Sequence, residues 1–206
     1  MNGWKLKYKL SEKQREIFNS DARFRVVMAG RRFGKNEVET ACEVDYALNP
    51  SDYDFGVDDS EDLLVWHIAP TYRQAHRHGY QKVLAKLPDE WIEDKGGSEY
   101  SPSHIELQTG AELEFLSYDN PEGLQGEGVD LICGDEWAYS KPEIWDADLR
   151  PMLLDSDGGA ILISKPLGEN HFYDSYVRGA APNSPYSNGK ERESGWFSLH
   201  ATSYDN

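Results

Sequence analysis

The residues best suited to phosphate chemistry form a glycine-rich segment near the N-terminus. It follows a β-branched apolar run, precedes a helical pattern, and reads Ala29-Gly30-Arg31-Arg32-Phe33-Gly34-Lys35-Asn36. In that position backbone N–H groups can surround a phosphate, a helix N-terminus adds its positive end, and Lys35 can reach the β- and γ-phosphates. The segment predicts a P-loop whose nucleotide-binding positions are Gly30, Arg31, Arg32, Phe33, Gly34, Lys35 and Asn36.

This segment departs from the pattern G-x-x-x-x-G-K-[ST] at two positions. Ala29 replaces the first glycine, which is a mild change. Asn36 replaces the Ser or Thr whose hydroxyl binds Mg²⁺. An amide oxygen can ligate Mg²⁺, but it projects farther, and this ion tolerates little deviation from octahedral distances. Asn36 is therefore predicted to be a metal ligand with an altered reach.

A second motif supplies two acids after another apolar run. Val129–Cys133 is followed by Gly134, Asp135 and Glu136, the arrangement of a Walker B strand. Asp135 would hold Mg²⁺, usually through water, and Glu136 would act as the general base on the attacking water. Each motif alone has an ordinary alternative, a strand-to-helix turn or an acid-rich helix start. Both motifs in this order, each after a buried strand, favour a nucleotide site.

Strand and helix patterns alternate along the chain. Apolar runs predict strands at 25–29, 63–69, 129–133, 160–164 and 196–201, and helical periodicity predicts helices at 11–19, 37–48, 72–87, 142–149 and 170–177. A hairpin is predicted around Thr109-Gly110. Such alternation indicates a parallel sheet covered on both faces. We predict a single α/β domain over 1–206, a P-loop NTPase of the ASCE/RecA-like kind with a mainly parallel central sheet flanked by helices on both faces.

Composition excludes some protein classes. Among 206 residues, no apolar run approaches the roughly 20 residues of a membrane span. The first residues, Met1–Lys5, lack the features of a secretory signal, so a cytoplasmic protein is expected. Cys42 and Cys133 lie within apolar patterns and are predicted to be reduced, buried thiols rather than a disulfide or metal site.

The chain is strongly acidic. It carries 21 Lys+Arg against 37 Asp+Glu, a net charge of −16, which by itself argues against a polyanionic partner. Scattered acidity with little lysine indicates a protein hydrated in concentrated salt. The stretch Asp52–Asp62 is predicted to be a solvated loop rather than a two-metal site. A locally positive field is nevertheless expected near the nucleotide segments, from Arg23, Arg25, Arg31, Arg32, Arg73, Arg77 and Lys82.

These motifs resemble the large terminase subunits, the DNA-packaging ATPases of tailed viruses. The arginine-bearing P-loop is similar to the Walker A segment of that family. Four further blocks are similar in order and spacing, namely Leu10–Phe18, Ala69–Ala75, Gly123–Gly126 and Ile163–Phe172. The resemblance covers nearly the whole chain, and it departs from the family at Gln125, where many relatives carry arginine, and at Lys165, within the coupling motif.

The resemblance implies roles for individual residues. ATP and Mg²⁺ would be the ligands, with Gln14 in the adenine-contacting segment 1–22 reading the base edge and Ser164 sensing the γ-phosphate. Arg31 would act on the transferring phosphoryl group in cis. Arg150 is a candidate arginine finger offered to a neighbouring subunit, and a surface salt bridge is an equally good explanation of it. Gln14 has its own alternative as a capping-box residue after Ser11.

The resemblance also implies partners and a setting. They are double-stranded DNA, the portal protein, the small terminase subunit and further copies in a homo-oligomeric ring on the procapsid, in the host cytoplasm and not in a membrane. The acidity suggests a virus of a halophilic host. The chain stops where the family's nuclease domain begins, so a motor domain alone is expected, with a flexible loop at 182–195.

Two other functions stay open. Asn36 is compatible with a nucleotide-binding assembly module that hydrolyses poorly. A helicase or recombinase-type ATPase shares both Walker motifs, although the block at 168–172 fits terminases better. ATP hydrolysis that drives DNA translocation is the preferred prediction.

Overall fold

The computed structural model describes residues 6–56, 63–124 and 128–205, and an eight-stranded sheet runs through them. The strands are β1 (Phe24–Ala29), β2 (Leu64–Ala69), β3 (Ile92–Ser98), β4 (Ser101–Leu107), β5 (Glu112–Ser117), β6 (Leu131–Gly134), β7 (Gly159–Ser164) and β8 (Trp196–Ala201). Their order across the sheet is β3-β4-β5-β2-β6-β7-β1-β8. All neighbours from β5 to β8 are parallel, whereas β3, β4 and β5 pair antiparallel. The predicted mainly parallel sheet and the β4–β5 hairpin are confirmed.

Six α-helices accompany the sheet in the described residues. They are α1 (Glu12–Phe18), α2 (Lys35–Leu48), α3 (Tyr72–Gln74), α4 (Gln81–Leu84), α5 (Arg150–Asp155) and α6 (His171–Gly179). Two predicted helices contain a wider turn than expected, because π-helical segments lie at Ala75–Tyr80, between α3 and α4, and at Ile144–Leu149, before α5. Short π-helical segments occur frequently at functional sites. Among the described residues, no helix has the length and apolar character needed to cross a bilayer.

Strand β3 was not predicted from the sequence. Its residues, Ile92–Ser98, include two glycines and three charged side chains, and no alternation of large apolar residues marks them. It lies at the sheet edge and pairs only with β4 among the described strands. An edge strand that faces water needs no hydrophobic stripe, so its pairing depends on backbone hydrogen bonds to β4.

The core lies on both faces of the sheet. In β1, Val27 packs in one apolar cluster with Val38 and Cys42 of α2, whereas Val26 and Met28 pack in the other. This alternation follows from the two-residue period of a strand, and it explains why helices cover both faces. Cys42 and Cys133 are free and buried, as predicted.

Two loops were predicted, and the described residues include all of the first and part of the second. The segment 182–195 forms turns and contains neither helix nor strand. In the acidic stretch Asp52–Asp62, residues 57–62 lie outside the described residues, as does Gln125.

The order of the strands brings the candidate site residues together. β7 lies between β6 and β1, with Ser164 in register with Met28 and Leu162 in register with Gly134. The carboxyl ends of all three strands therefore meet at one edge, which brings together the P-loop after β1, the two acids after β6 and Ser164 at the end of β7.

The π-helical segment Ala75–Tyr80 packs against the sheet at Gly79. A Cβ there would lie 2.6 Å from Cδ2 of His67 and 2.7 Å from Cδ1 of Phe115, both of which are buried. We expect Gly79→Ala to lower the free energy of unfolding by about 1–2 kcal/mol, because overpacking exceeds the gain in helix propensity. Urea denaturation measures this change. Gln81→Ala, at an exposed position in α4, is the matched control and should change stability little; an equal effect of both variants would contradict the packing argument.

Candidate functional site

The P-loop is shaped by a left-handed residue at the start of α2. Gly34 has φ +83° and is the N-cap, so the helix begins at Lys35, two residues earlier than the sequence predicts. The N–H groups of Glu37 and Val38 donate to the Gly34 carbonyl at 3.0 and 3.3 Å. Gly30 is closely approached on its other side, since a Cβ there would lie 3.3 Å from the Ser203 nitrogen. The loop thus presents a helix N-terminus at the sheet edge, the position of a phosphate site.

Phe33 and Gln14 anchor the P-loop to the interior of the protein. The Phe33 side chain is fully buried in the core, so only its backbone can face a nucleotide. The predicted role of Phe33 in nucleotide binding therefore rests on its backbone and stays a prediction, while its ring stabilises the loop. The Gln14 amide nitrogen donates to the Phe33 carbonyl at 2.7 Å, and its Oε1 accepts from the Ser11 N–H at 2.9 Å.

Gln14 therefore has a structural task in this chain. The capping box with Ser11 is formed, and the side chain is 2% exposed. Both ends of the amide are engaged, one in starting α1 and one in fastening α1 to the P-loop. The capping-box alternative is confirmed, while contact with an adenine edge stays a prediction.

The Glu136 carboxylate, which follows β6, contacts side chains of the P-loop after β1 and of the segment at the end of β7. Its Oε1 lies 3.5 Å from the Lys35 ammonium and 3.6 Å from the Lys165 ammonium, and its Oε2 lies 3.4 Å from the Ser164 hydroxyl. Glu136 has a left-handed backbone (φ +49°), and its carbonyl accepts a hydrogen bond from the Tyr118 hydroxyl at 3.0 Å. A strained, non-glycine conformation held in place by its neighbours is typical of functional positions.

Asp135 lies next to Glu136 but faces a different partner. Its side chain is 2% exposed, and Oδ2 lies 3.4 Å from Nδ1 of His78, in the π-helical segment. Burial alone would raise the pKa of Asp135, but the His78 hydrogen bond and the charges of His67, His78 and Lys35 outweigh burial, so the pKa is lowered. Asp135 is thus kept ionised.

The donor set fits Mg²⁺ that is shared with a nucleotide. An ionised carboxylate at Asp135 and an amide oxygen at Asn36, in the first turn of α2, are hard oxygen ligands of the kind this ion prefers. Within the described ranges, no group of three or more His, Cys, Asp and Glu side chains is arranged to hold a metal. Phosphate oxygens and water would have to complete the coordination sphere.

Several buried ionisable side chains lie next to the site, and the sequence analysis did not predict them. Glu39 and Glu43 are four residues apart on α2, and both are essentially unexposed. Glu43 Oε1 lies 2.6 Å from Nδ1 of His67 on β2. Burial would lower the pKa of His67, but the charge and hydrogen bond of Glu43 raise it above its ordinary value. The i, i+4 spacing of the two acids was visible, but their burial was not.

Glu39 differs from Glu43 because neither of its carboxylate oxygens has a hydrogen-bond partner among the described groups. Burial chiefly, and then the charges of Asp135 and Glu43, raise the pKa of Glu39 well above its ordinary value. Glu39 therefore carries a proton under conditions in which a free glutamate is ionised.

The predicted arginines lie at the surface in the single chain. Arg31 and Arg32 are exposed on the P-loop, and Arg150 is exposed at the start of α5. A hydrogen bond from Arg178 chiefly, and the charge of Arg150 to a smaller degree, lower the pKa of Glu193. Arg150 thus influences Glu193 through its charge, and both explanations of Arg150, a surface salt bridge and a finger in trans, stay predictions.

The expected local positive field is weaker than the sequence suggests. Arg25 is fully buried, with Nη1 3.2 Å from the Ile17 carbonyl, and adds nothing to the surface. Four others of the set form ion pairs with acids: Arg23 with Asp157, Arg73 and Arg77 with Glu99, and Lys82 with Glu37. Acids neighbouring these cations in the fold offset much of their charge.

Sequence comparisons find large terminases. The large terminase subunit of Thermus virus P23-45 is 27% identical over 227 residues, covering 97% of this chain and 43% of the relative. That of Escherichia phage T5 is 26% identical over 190 residues, covering 90% of this chain and 38% of the relative. The chain thus spans less than half the length of these curated relatives. No protein-family model matches it.

Solved structures agree with this result. The ATPase domain of the Thermus phage P74-26 large terminase is 26% identical with a TM-score of 0.74, covering 94% of this chain and 81% of that chain. A large terminase from a thermophilic bacteriophage, solved in complex with ADP, has the same fold at 15% identity, with a TM-score of 0.66 and coverage of 96% and 46%. The predicted P-loop, RecA-like fold is confirmed. None of these relatives supports a halophilic host.

The Glu43–His67 pair makes stability depend on pH. Because the pKa of His67 is raised, its contribution is complete below the ordinary value of 6.5 and is lost as pH rises through the folded-state pKa, by up to about 1.4 kcal/mol per pH unit. We expect Glu43→Gln to destabilise the fold by about 3–5 kcal/mol near pH 6 and less at alkaline pH.

Thermal unfolding of parent and variant across this pH range measures the effect. The exposed Glu191→Gln removes the same charge at the surface and should leave the pH profile unchanged. A constant difference between parent and Glu43→Gln at all pH values would show that His67 is not held protonated.

Proposed function

We propose that this chain is the ATPase domain of a tailed-phage large terminase and that it hydrolyses ATP to translocate double-stranded DNA into a procapsid. The observation that carries the proposal is the convergence of Lys35, Ser164 and Glu136 at one sheet edge, from three neighbouring strands. The similarity to a solved terminase ATPase domain supports it independently.

Nucleotide binding would rearrange the charges of the site. The P-loop N–H groups and Lys35 would bind the β- and γ-phosphates, so the triphosphate competes with Glu136 for the Lys35 ammonium. Release from Lys35 frees Glu136 to accept a hydrogen bond from water. Asp135 and Asn36 would hold Mg²⁺, which supplies further charge neutralisation at the phosphate oxygens when bound.

Hydrolysis would then use Glu136 as the general base. The water oxygen forms a bond to the γ-phosphorus, the bond from that phosphorus to the β–γ bridging oxygen breaks, and the water proton passes to the Glu136 carboxylate. Ser164, 3.4 Å from Oε2, would fix the orientation of the carboxylate and report on the γ-phosphate. Arg31 on the P-loop would stabilise the transferring group in cis, and Arg150 would do so from a neighbouring subunit.

The similarity also supports proposed partners. They are double-stranded DNA, the portal protein, the small terminase subunit and further copies of this chain in a ring, all in the host cytoplasm. Gln14 would approach the adenine base from α1. We further propose that the acidity of the chain, −16 overall, keeps the domain hydrated in concentrated salt. Salt would also screen repulsion between the acidic surface and DNA.

Removing the base or the P-loop cation tests the activity. We expect Glu136→Gln to lower kcat for ATP hydrolysis by about 10²–10⁴-fold, because proton transfer from water is lost. Lys35→Ala should abolish turnover. Phosphate release, measured with and without double-stranded DNA from low to molar KCl, reports activity, partner and salt dependence together. The exposed Glu143→Gln is the charge-matched control, and equal phosphate release by Glu136→Gln and the parent would overturn the proposal.

Asn36 distinguishes a motor from a binding module. We expect Asn36→Thr to lower the Mg²⁺ concentration for half-maximal turnover, because a hydroxyl of shorter reach suits octahedral coordination. Steady-state rates over a Mg²⁺ titration measure this change. Unchanged Mg²⁺ dependence would mean that other groups hold the ion. Thermal stabilisation of the parent by ATP without phosphate release would favour the alternative function, an assembly module.

A further inference from the structure

Lys165 places a second ammonium group on the base. It is the first residue after β7, and its nitrogen lies 3.6 Å from Glu136 Oε1, the atom that Lys35 approaches to 3.5 Å. The two ammonium nitrogens are therefore separated by no more than these two distances combined. This contact could not be expected from sequence spacing, because 29 positions separate Glu136 from Lys165 and 130 separate Lys35 from Lys165.

The charges around this atom do not balance. One carboxylate faces two ammonium groups, and the side chains of Lys35 and Lys165 are only 12% and 30% exposed, so water screens their repulsion incompletely. The neighbouring carboxylate of Asp135 is engaged by His78 instead. Two ammonium groups thus share one carboxylate in the nucleotide-free chain, and a further anion placed between them would relieve their repulsion.

The place of Lys165 in the sheet indicates which anion fits. β7 lies between the strand that ends in the P-loop and the strand that ends in Glu136. Lys165 leaves this strand next to Ser164 and beside the base that would act on the γ-phosphorus. A phosphate reached by both lysines is therefore the terminal one, whereas Lys35 alone also serves the β-phosphate.

Tyr139 supports the ammonium group in this position. Its ring centroid lies 5.5 Å from the Lys165 nitrogen, within the range of a cation–π contact, and it belongs to the short turn Trp137–Tyr139 directly after Glu136. Tyr139 is 52% exposed, so the ring covers the lysine without closing the site.

We propose that Lys165 binds the γ-phosphate in cis and thereby makes the site discriminate ATP from ADP. This inference rests on the proposed function. Without nucleotide, Lys165 pairs with Glu136; with a triphosphate, the ammonium turns to the γ-phosphate and the base is released; with ADP, the pair with Glu136 forms again. An ordinary structural ion pair would instead affect both nucleotides equally.

Binding measurements on the full chain test this proposal without requiring turnover. Calorimetric titration with ADP and with the β–γ imido analogue of ATP, both in excess Mg²⁺, gives the ratio of the two Kd values. We expect Lys165→Met to weaken binding of the analogue by about 10- to 100-fold, the loss of one charge-assisted hydrogen bond, and to leave ADP binding nearly unchanged. Lys165→Arg should retain the parent ratio, and Lys35→Met should weaken both nucleotides.

Two controls separate local from general effects. Lys141→Met removes an equivalent charge at an exposed position five residues after Glu136 and should not change the ratio. Lys165→Gln provides a second, polar replacement and should lose discrimination as Lys165→Met does. Equal weakening of both nucleotides, or an unchanged ratio in folded Lys165→Met and Lys165→Gln, would overturn the inference while leaving the proposed function intact. Failure of the parent to bind either nucleotide would overturn the proposed function itself.

Discussion

Three neighbouring parallel strands, β6, β7 and β1, end at the same edge of the sheet, and the placement of the site depends on that alignment. The order is enforced by backbone pairing, with Ser164 beside Met28 and Gly134 beside Leu162. Apolar packing on both faces fixes the strands, so the loops that follow them have little freedom at their origin. The sheet therefore brings the loops after these strands close together. Side chains of the P-loop, of the two acids and of Ser164 can then contact one another directly.

Charge balance is the second constraint on this edge. Asp135, Glu136, Glu39 and Glu43 crowd a region of low exposure, which would be costly without compensation. Lys35, Lys165, His67 and His78 supply that compensation for three of the acids, and Glu39 retains its proton. In the nucleotide-free site Glu136 holds two ammonium groups, those of Lys35 and Lys165, and a polyphosphate would take these cations away from it. The proposed catalysis and the charge balance of the site thus depend on the same contacts.

The fold limits what can be inferred from the net negative charge of the chain. Several cations that border the nucleotide segments form ion pairs with acids, and Arg25 is buried. Surface charge is consequently dominated by the excess of carboxylates, while Lys35 and Lys165 place two ammonium groups on the one carboxylate of Glu136 at the sheet edge. Attraction of an anionic ligand is a local property of the sheet edge rather than of the molecule as a whole.

The sequence by itself determined what depends on neighbours along the chain. Periodicity placed nearly every buried strand and helix, turn chemistry placed the β4–β5 hairpin, and short motifs placed Lys35, Asp135 and the Ser11–Gln14 capping box. Tertiary structure alone decided the edge strand β3, the contact of His78 with Asp135, the Glu43–His67 pair and the approach of Lys165 to Glu136. These contacts join residues that are far apart in sequence, and their energies depend on burial and strand order, which no local pattern records.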